Sequence, residues 1–538
     1  MKPIVTLITL ILFQLSAMAQ LPPQLWSIAH DTLNDNVFHY HKNLAISGTG
    51  LSAALSSRND IDQLEVYEAD GSLRYSKGFA DDQCWYYQVE FSADDELYLI
   101  GTNQPQSQEG TSMRVQKLDN YGNVLWTTNW AENATEYTGV IRSHLLSDGR
   151  LVVCGQFNFY TAGSSNDFYV VCLNIDGSMD WTYVYTSNGI IIDILRNSFV
   201  DASDNIYFTG IRQNPNLTSY YNLIAGKLDN EGNLLWTADL DYTNFNGQSV
   251  DAEAVIVDAN GMVLLAANTF TYNDQNIPIS IPVIARLYGS DGTTAGVQLI
   301  EFDRSATIRD LIADDDGNYY GNFITSRDSI YFITPEFFDL VTYEVSHHVK
   351  KWNSDDEVLW SFDEIASPLA PNETYNMIIH DDQLFVFHYF ENNNRILCLS
   401  PSGSSLDTYT YPRPVTHIGV YQHHIKANNH GVYLLCGSTQ PSAQFRPYYV
   451  LTRFSLDPDF IVSPDALSLT IYPNPANNFT MIRDLPQDAI VSIYDASGRL
   501  VPIQRNGSMI EWSSVASGIY IVEVTTGPLQ QRQRLLID

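Results

Sequence analysis

One phrase recurs along this chain and constrains what it can fold into. Residues 228–236 read LDNEGNLLW, residues 118–126 read LDNYGNVLW, and residues 173–181 read LNIDGSMDW. Each copy has an apolar residue, a polar turn ending in Gly, and then a Trp. The Gly or its substitute falls near 71, 122, 177, 232, 292, 356, 403 and 457. A second phrase alternates with it: a polar turn followed by an apolar run, as in DDELYLIG (94–101), SDGRLVVCG (147–155) and SDNIYFTG (203–210). An Asp, Asn or Ser side chain bonds the backbone of such a turn, and Gly takes positive φ without steric cost. The flanking runs alternate apolar with polar residues and are rich in Val, Ile and Tyr, the pattern of strands.

Each unit therefore reads as four strands; in the second unit they are CWYYQVEF, ELYLIG, MRVQKL and VLWTTNW. Four antiparallel strands per unit of ~50 residues, repeated, predict a β-propeller. The fold class is all-β, with eight blades predicted and seven as the alternative. Trp126, Trp181, Trp236 and Trp360 each lie four positions past the turn's Gly or its substitute. An indole there can cover a turn and pack against the next blade. A propeller must close, because open sheet edges template unwanted pairing. The last unit lacks its fourth strand, while PQLWSIAHD near the N-terminus reads as an orphan one. Residues 24–30 are expected to complete the last blade.

These repeats resemble two families. Residues 148–180 resemble the delta-sixty type of secreted propeller repeat, and LDNEGNLLW resembles the tryptophan-docking phrase of quinoprotein-like propellers. The resemblance concerns architecture, and no residue set carries quinone binding over with it.

The termini give an address. MKPIVTLITLILFQLSAMAQ has a Lys, an apolar run and small residues at Ala17 and Ala19, so residues 1–19 read as a signal peptide cleaved between Ala19 and Gln20. The run is short for a bilayer core of ~30 Å, and no later apolar run predicts a membrane span. The propeller is expected over 20–460, followed by a linker at 461–466. From 467 to 538 the strands become short, predicting a small Ig-like β-sandwich. Its phrases resemble the type A C-terminal sorting domain of the type IX secretion system. They are Tyr472-Pro473-Asn474-Pro475, Tyr494-Asp495 with Gly498-Arg499, and Gly518-Ile519-Tyr520. The resemblance implies a partner, the type IX machinery, and a destination: the outer surface of a bacterium with an outer membrane, or the medium.

Charge narrows the remaining partners. The 62 acids against 28 bases give a net charge of −34, which argues against nucleic acid, a polyanion. The sequence shows no nucleophile elbow, no H-E-x-x-H and no P-loop, so no catalytic residue is assigned. His39 with His41, His347 with His348 and His423 with His424 lack a placed third ligand, so no metal is assigned. Calcium is the one cofactor the acidity leaves open. Asp314, Asp315 and Asp316 lack calcium-loop spacing and read as a hairpin turn. Cys154, Cys172, Cys398 and Cys436 read as small core residues.

The tight turns are expected on one face of the ring and longer, varied loops on the other. Such loops carry binding groups. Tyr160, Tyr220, Tyr221, Tyr272, Tyr331 and Phe332 are the predicted contacts for a glycan or surface protein. The expected function is non-catalytic binding. The alternatives are a carbohydrate-active enzyme, lyase or hydrolase, with acids converging at the mouth of the channel, and a calcium-binding structural protein of the cell surface.

Overall fold

The computed structural model describes residues 24–30, 39–454 and 470–537, apart from segments that include 104–109, 158–166, 187–191, 215–219, 273–277, 367–375, 412–419, 439–447, 473–478 and 484–489 and some shorter ones. The signal-peptide positions Ala19 and Gln20 and the linker 461–466 lie outside the described residues. The chain divides into two compact units, Met1–Leu456 and Asp457–Asp538. Among the described residues, no helix is long and apolar enough to cross a membrane.

In the first unit the described residues form eight four-stranded antiparallel sheets. Seven are sequential meanders, among them the second sheet, Cys84–Phe91, Leu97–Asn103, Ser112–Leu118 and Val124–Trp130. The eighth is assembled from both ends of the unit: Gln24–His30 pairs antiparallel with Tyr448–Phe454, Ile28 opposite Leu451. The first strand of every sheet touches the first strand of the next, and Val420–Asn428 returns to touch His39–Ile46. The cycle is closed, as a β-propeller requires.

Local chemistry explains the hairpins. In the turn 119–122, Gly122 N donates to Asp119 O at 3.0 Å. The Asp119 carboxylate accepts from the N–H groups of Tyr121 and Asn123 at 2.9 and 2.8 Å. Gly122 sits at φ 82° and the ladder bulges between Lys117 and Leu118, where one extra residue strengthens the twist. The turn at 314–317 is built the same way, with Asp314 Oδ1 accepting from Asp316 N and Asn318 N. The Asp-rich stretch is thus a hairpin turn, as its sequence predicts.

The indoles then stitch neighbouring sheets. Trp126 Nε1 donates to Ile175 O at 3.0 Å, and its ring covers Gly177 in the outer turn of the following sheet. Trp181, Trp236 and Trp360 repeat this on Gly232, Gly292 and Gly403. Their Nε1 atoms donate to Asn230 O, Gly289 O and Pro401 O. The fifth sheet carries Gly296 where the peg belongs, and the next outer turn carries Asp356 in place of Gly. There Arg286 takes over: Nη1 pairs with the Asp356 carboxylate at 2.6 Å and Nη2 donates to Ser354 O at 2.8 Å. Tyr319 Oη adds a 2.7 Å bond to the same carboxylate. The indole and its glycine are replaced together by a guanidinium and its carboxylate.

The core lies between sheets. Clusters such as Ile211, Leu223, Trp236, Phe245, Val263 and Leu265 span the fourth and fifth sheets. Leu44, Ala54, Tyr433, Leu435 and Leu451 join the first to the eighth. Cys154 and Cys172 are buried free thiols, Cys154 opposite Val170 and Cys172 opposite Val152; Cys84 and Cys398 are also buried and free.

The second unit contains two four-stranded sheets, one including Phe479–Arg483 and Met509–Glu511, the other Ile490–Asp495 and Gly518–Thr526. Ile510 and Trp512 share one core with Ile493, Val522 and Val524.

Candidate functional site

A channel runs along the axis of the ring, lined by the inner strand of each sheet. At its middle is a cavity of about 290 Å³ reached by Asn43, Gln88, Arg142, Asn197, Asp310 and His424, among others. Asn376 comes from the seventh sheet's edge and Ala254 from the fifth, so all eight sheets contribute. Toward the tight-turn end the channel continues past Glu90, Ser143, His144 and Lys426. Toward the other end it opens into a cavity of about 280 Å³ lined by Arg142, Arg196, Asn197, Glu253, Arg309 and Asp310, among others.

The inner strands are bent to make this lining. Seven of them carry a bulge, six immediately before the residue four positions ahead of the turn, between His41 and Asn43, Tyr86 and Gln88, Val140 and Arg142, Leu195 and Asn197, Ala252 and Ala254, and Ile308 and Asp310, and the seventh between Tyr421 and His423. A bulge re-aims the following side chain and frees ladder groups. Neighbouring sheets satisfy them. Asn43 Oδ1 accepts from Val89 N at 3.3 Å, and Gln88 Nε2 donates to Ile141 O at 3.2 Å. Asn197 Nδ2 donates to Glu253 O at 2.8 Å, and Asp310 Oδ2 accepts from Met377 N at 2.7 Å. Asn268, 2 % exposed, accepts from Ile308 N and donates to Ile308 O and to Glu253 Oε1. The channel wall is therefore a polar seam holding the sheets in register, since buried backbone groups need partners.

Burial sets the protonation of this wall. It pushes the Glu253 carboxyl up to about 7, against the pull of Arg309, with Asp251 adding repulsion. Asp310 is raised to about 6 by burial, opposed by the N–H groups of Met377 and Leu311. Glu90 is raised by burial against Lys426 and Arg142. Burial, then Arg142 and Lys426, lower His144 to about 4, so it stays neutral on Ser198 Oγ at 2.8 Å. Burial takes these groups out of water, and desolvation disfavours their charged forms.

Of the aromatic contacts expected from sequence, Tyr220 and Tyr221 have described side chains. Tyr160 lies outside the described residues. Tyr220 is half-buried, its carbonyl accepting from Asn214 N at 2.8 Å. Tyr221 opens the strand Tyr221–Leu228, and its side chain packs against the core shared by the fourth and fifth sheets. Tyr272 ends the strand Met262–Tyr272. Tyr331 and Phe332, expected on a loop, instead lie in a long hairpin, Tyr319–Thr334 with Phe337–Trp352, Tyr331 opposite Asp339. That stretch is rich in β-branched and aromatic residues, which favour strands, so the ladder continues through it. The side chains of Tyr272, Tyr331 and Phe332 lie outside the described residues. Tyr220 and Tyr221 are not among the residues that line the channel cavities. The channel residues had a legible signal, a polar residue four positions before five of the inner turns (Asn43, Gln88, Arg142, Asn197, Asp310), which a reading centred on turns and indoles passed over.

His347 and His348 serve the sheet. His347 bonds Asn322 Oδ1 at 2.6 Å, and His348 bridges Asp363 at 2.6 Å and Thr325 at 2.9 Å. The side chains of His39, His41 and His423 lie outside the described residues. Among the described residues no group of three His, Cys, Asp or Glu is placed to hold a metal ion. Of the sorting-signal residues, Gly518 opens the strand Gly518–Thr526, and Tyr520 is buried with its Oη donating to Ala516 O at 2.7 Å. Pro473, Asn474, Pro475 and Gly498 lie outside the described residues.

Residues 470–538 match the family model described as "Secretion system C-terminal sorting domain". Residues 146–183 match "Domain of unknown function (DUF5122) beta-propeller". No curated protein matches the chain in sequence. Similar solved structures include the WD40 domain of SCAP from fission yeast, at 8 % identity and TM-score 0.41, covering 81 % of this chain and 99 % of that one. The polysaccharide lyase Uly1 is similar at 9 % identity and TM-score 0.43, covering 78 % and 90 %. The β-propeller domain of the trilobed protease from Pyrococcus furiosus follows at 10 % identity and TM-score 0.35, covering 69 % and 95 %. The protein is a secreted β-propeller with a type IX secretion sorting tail, exported to the surface or the surroundings of a Gram-negative bacterium.

Proposed function

We propose that this protein is an eight-bladed propeller that binds a glycan or a protein at the bacterial surface without catalysis, using the channel mouth opposite the tight turns. The carrying observation is that the mouth's carboxylates are engaged in holding the ring. Asp251 pairs with Arg196 at 2.9 Å, Glu253 accepts from Asn268, and Asp310 accepts from Met377 N and Leu311 N. Groups held in this way offer a rigid polar lining, which suits a preformed binding site. The signal peptide at 1–19, the propeller over 20–460 and an Ig-like sandwich over 467–538 complete the proposed organisation. The aromatics Tyr160, Tyr220, Tyr272, Tyr331 and Phe332 would extend the contact surface beyond the mouth.

A carbohydrate-active enzyme is the second reading. Glu253 at about 7 and Asp310 at about 6 favour it, values suited to general acid and base work near neutrality. The full chain on glycan and surface-protein arrays, beside a turnover assay on the same polysaccharides, separates the two. Binding without turnover supports the first reading. Turnover abolished by Glu253→Gln replaces it with the second.

A further inference from the structure

Basic residues are scarce in this chain, yet three guanidinium groups meet at the open end of the channel. Arg142, Arg196 and Arg309 come from the third, fourth and sixth sheets and line one cavity of about 280 Å³. Arg196 is matched by Asp251 of the fifth sheet. Arg142 and Arg309 form no hydrogen bond or salt bridge among the described residues, and Arg309 Nε is buried without a partner. A buried unpaired donor on a charged group is costly, and such groups ordinarily find a partner. The acids facing them neutralise the site only in part. Asp251 is spent on Arg196, while Glu253 and Asp310 are raised to about 7 and about 6. Asn197 of the fourth sheet and Asn376 of the seventh add amides to the same wall.

Resting on the proposed glycan-binding reading, we infer that Arg142 and Arg309 hold the carboxylate of a ligand at this mouth, a uronate at the end of a saccharide. A guanidinium presents forked donors that match a carboxylate, and charge-assisted bonds of this kind are the strong ones. The Asn amides suit the hydroxyl groups beside it. The net charge of −34 repels a long polyanion. Screening over about 8 Å at physiological salt confines that repulsion, so a single terminal anion is admitted where an extended one is not. A bound carboxylate also favours the protonated form of Glu253, which then donates instead of repelling, so binding takes up a proton.

The full chain is titrated calorimetrically with glucuronate, digalacturonate, galactose and digalactose, and with sulfate and phosphate as inorganic arms. The uronates are expected to bind, the neutral sugars more weakly, and affinity to fall severalfold from about pH 6 to about pH 8 as Glu253 ionises. Arg142→Gln and Arg309→Gln are expected to weaken uronate binding about tenfold each, the loss of a charge-assisted contact. Glu253→Gln should flatten the pH dependence. Melting curves show that each variant remains folded; if Arg309→Gln does not fold, solvent-facing Arg142 alone decides. Neutral and acidic sugars binding equally, with Arg142→Gln inert, overturn the inference and leave the glycan reading standing. Sulfate and phosphate binding where uronates do not also overturn it. No binding by any sugar, neutral or acidic, overturns the inference and the glycan reading together, leaving a protein ligand.

Discussion

The indole of Trp181 lies flat against Gly232 of the next sheet, so close that a Cβ on Gly232 would sit 2.5 Å from Cδ2. Gly232 also has φ +82°, where a side chain is strained whatever the space. Gly232→Ala is therefore expected to destabilise the propeller by roughly 2 kcal/mol or more, from backbone strain plus a displaced indole. Gly296→Ala has nothing within 4 Å of the new methyl and is the neutral control. Thermal denaturation of both checks the pair; equal melting temperatures would remove the peg argument.

Where guanidinium and carboxylate replace indole and glycine, the energetics differ. Arg286→Met leaves Asp356 without its ion partner and Ser354 O without its donor. The site is partly solvated, so the expected cost is about 1–2 kcal/mol, less than a peg Trp→Ala at roughly 3–5 kcal/mol. Urea titrations of Arg286→Met and Trp236→Ala measure the ordering.

Asn268 is a buried clamp with two sheets depending on it. Asn268→Leu removes the partner of Ile308 N, of Ile308 O and of Glu253. Unpaired buried groups cost ~1–3 kcal/mol each, so a loss of about 3 kcal/mol is expected in chemical denaturation.

Glu253 makes stability depend on pH with a definite sign. Its carboxyl is raised to about 7 in the folded protein from an ordinary 4.5. The folded state therefore binds the proton more tightly, and stability falls as pH rises from about 4.5 to about 7. His144 is lowered to about 4, so its contribution falls in the opposite direction, as pH drops below about 6.5. Glu253→Gln is expected to be more stable than the parent at about pH 8, by on the order of 2 kcal/mol relative to the difference at about pH 5. Denaturation at both pH values tests it; a constant difference would contradict the assignment.

Closure supplies the last test. Gln24–His30 covers the edge of Tyr448–Phe454. Deleting residues 24–30 exposes that edge, and a lower melting temperature with concentration-dependent association in size-exclusion chromatography is expected.

Turns and pegs were legible because their causes are local. Asp119 bonds groups two and four residues away, and Trp126 stands at a constant offset from Gly122, so repetition alone reveals the hairpin. The orphan strand 24–30 was legible because eight turns had left one sheet a strand short. By itself the sequence determined the all-β repeat, the closing segment and the export tail. Only the tertiary structure decided the site. Asn43, Gln88, Arg142, Asn197 and Asp310 are unremarkable polar residues until five bulges turn them toward one axis, where the next sheet supplies partners for all but Arg142. Arg142 and Arg309 are far apart in the chain, and closing the ring is what gathers them into one cavity with partly protonated acids. Burial and long-range juxtaposition set that chemistry, and neither is written in any single repeat.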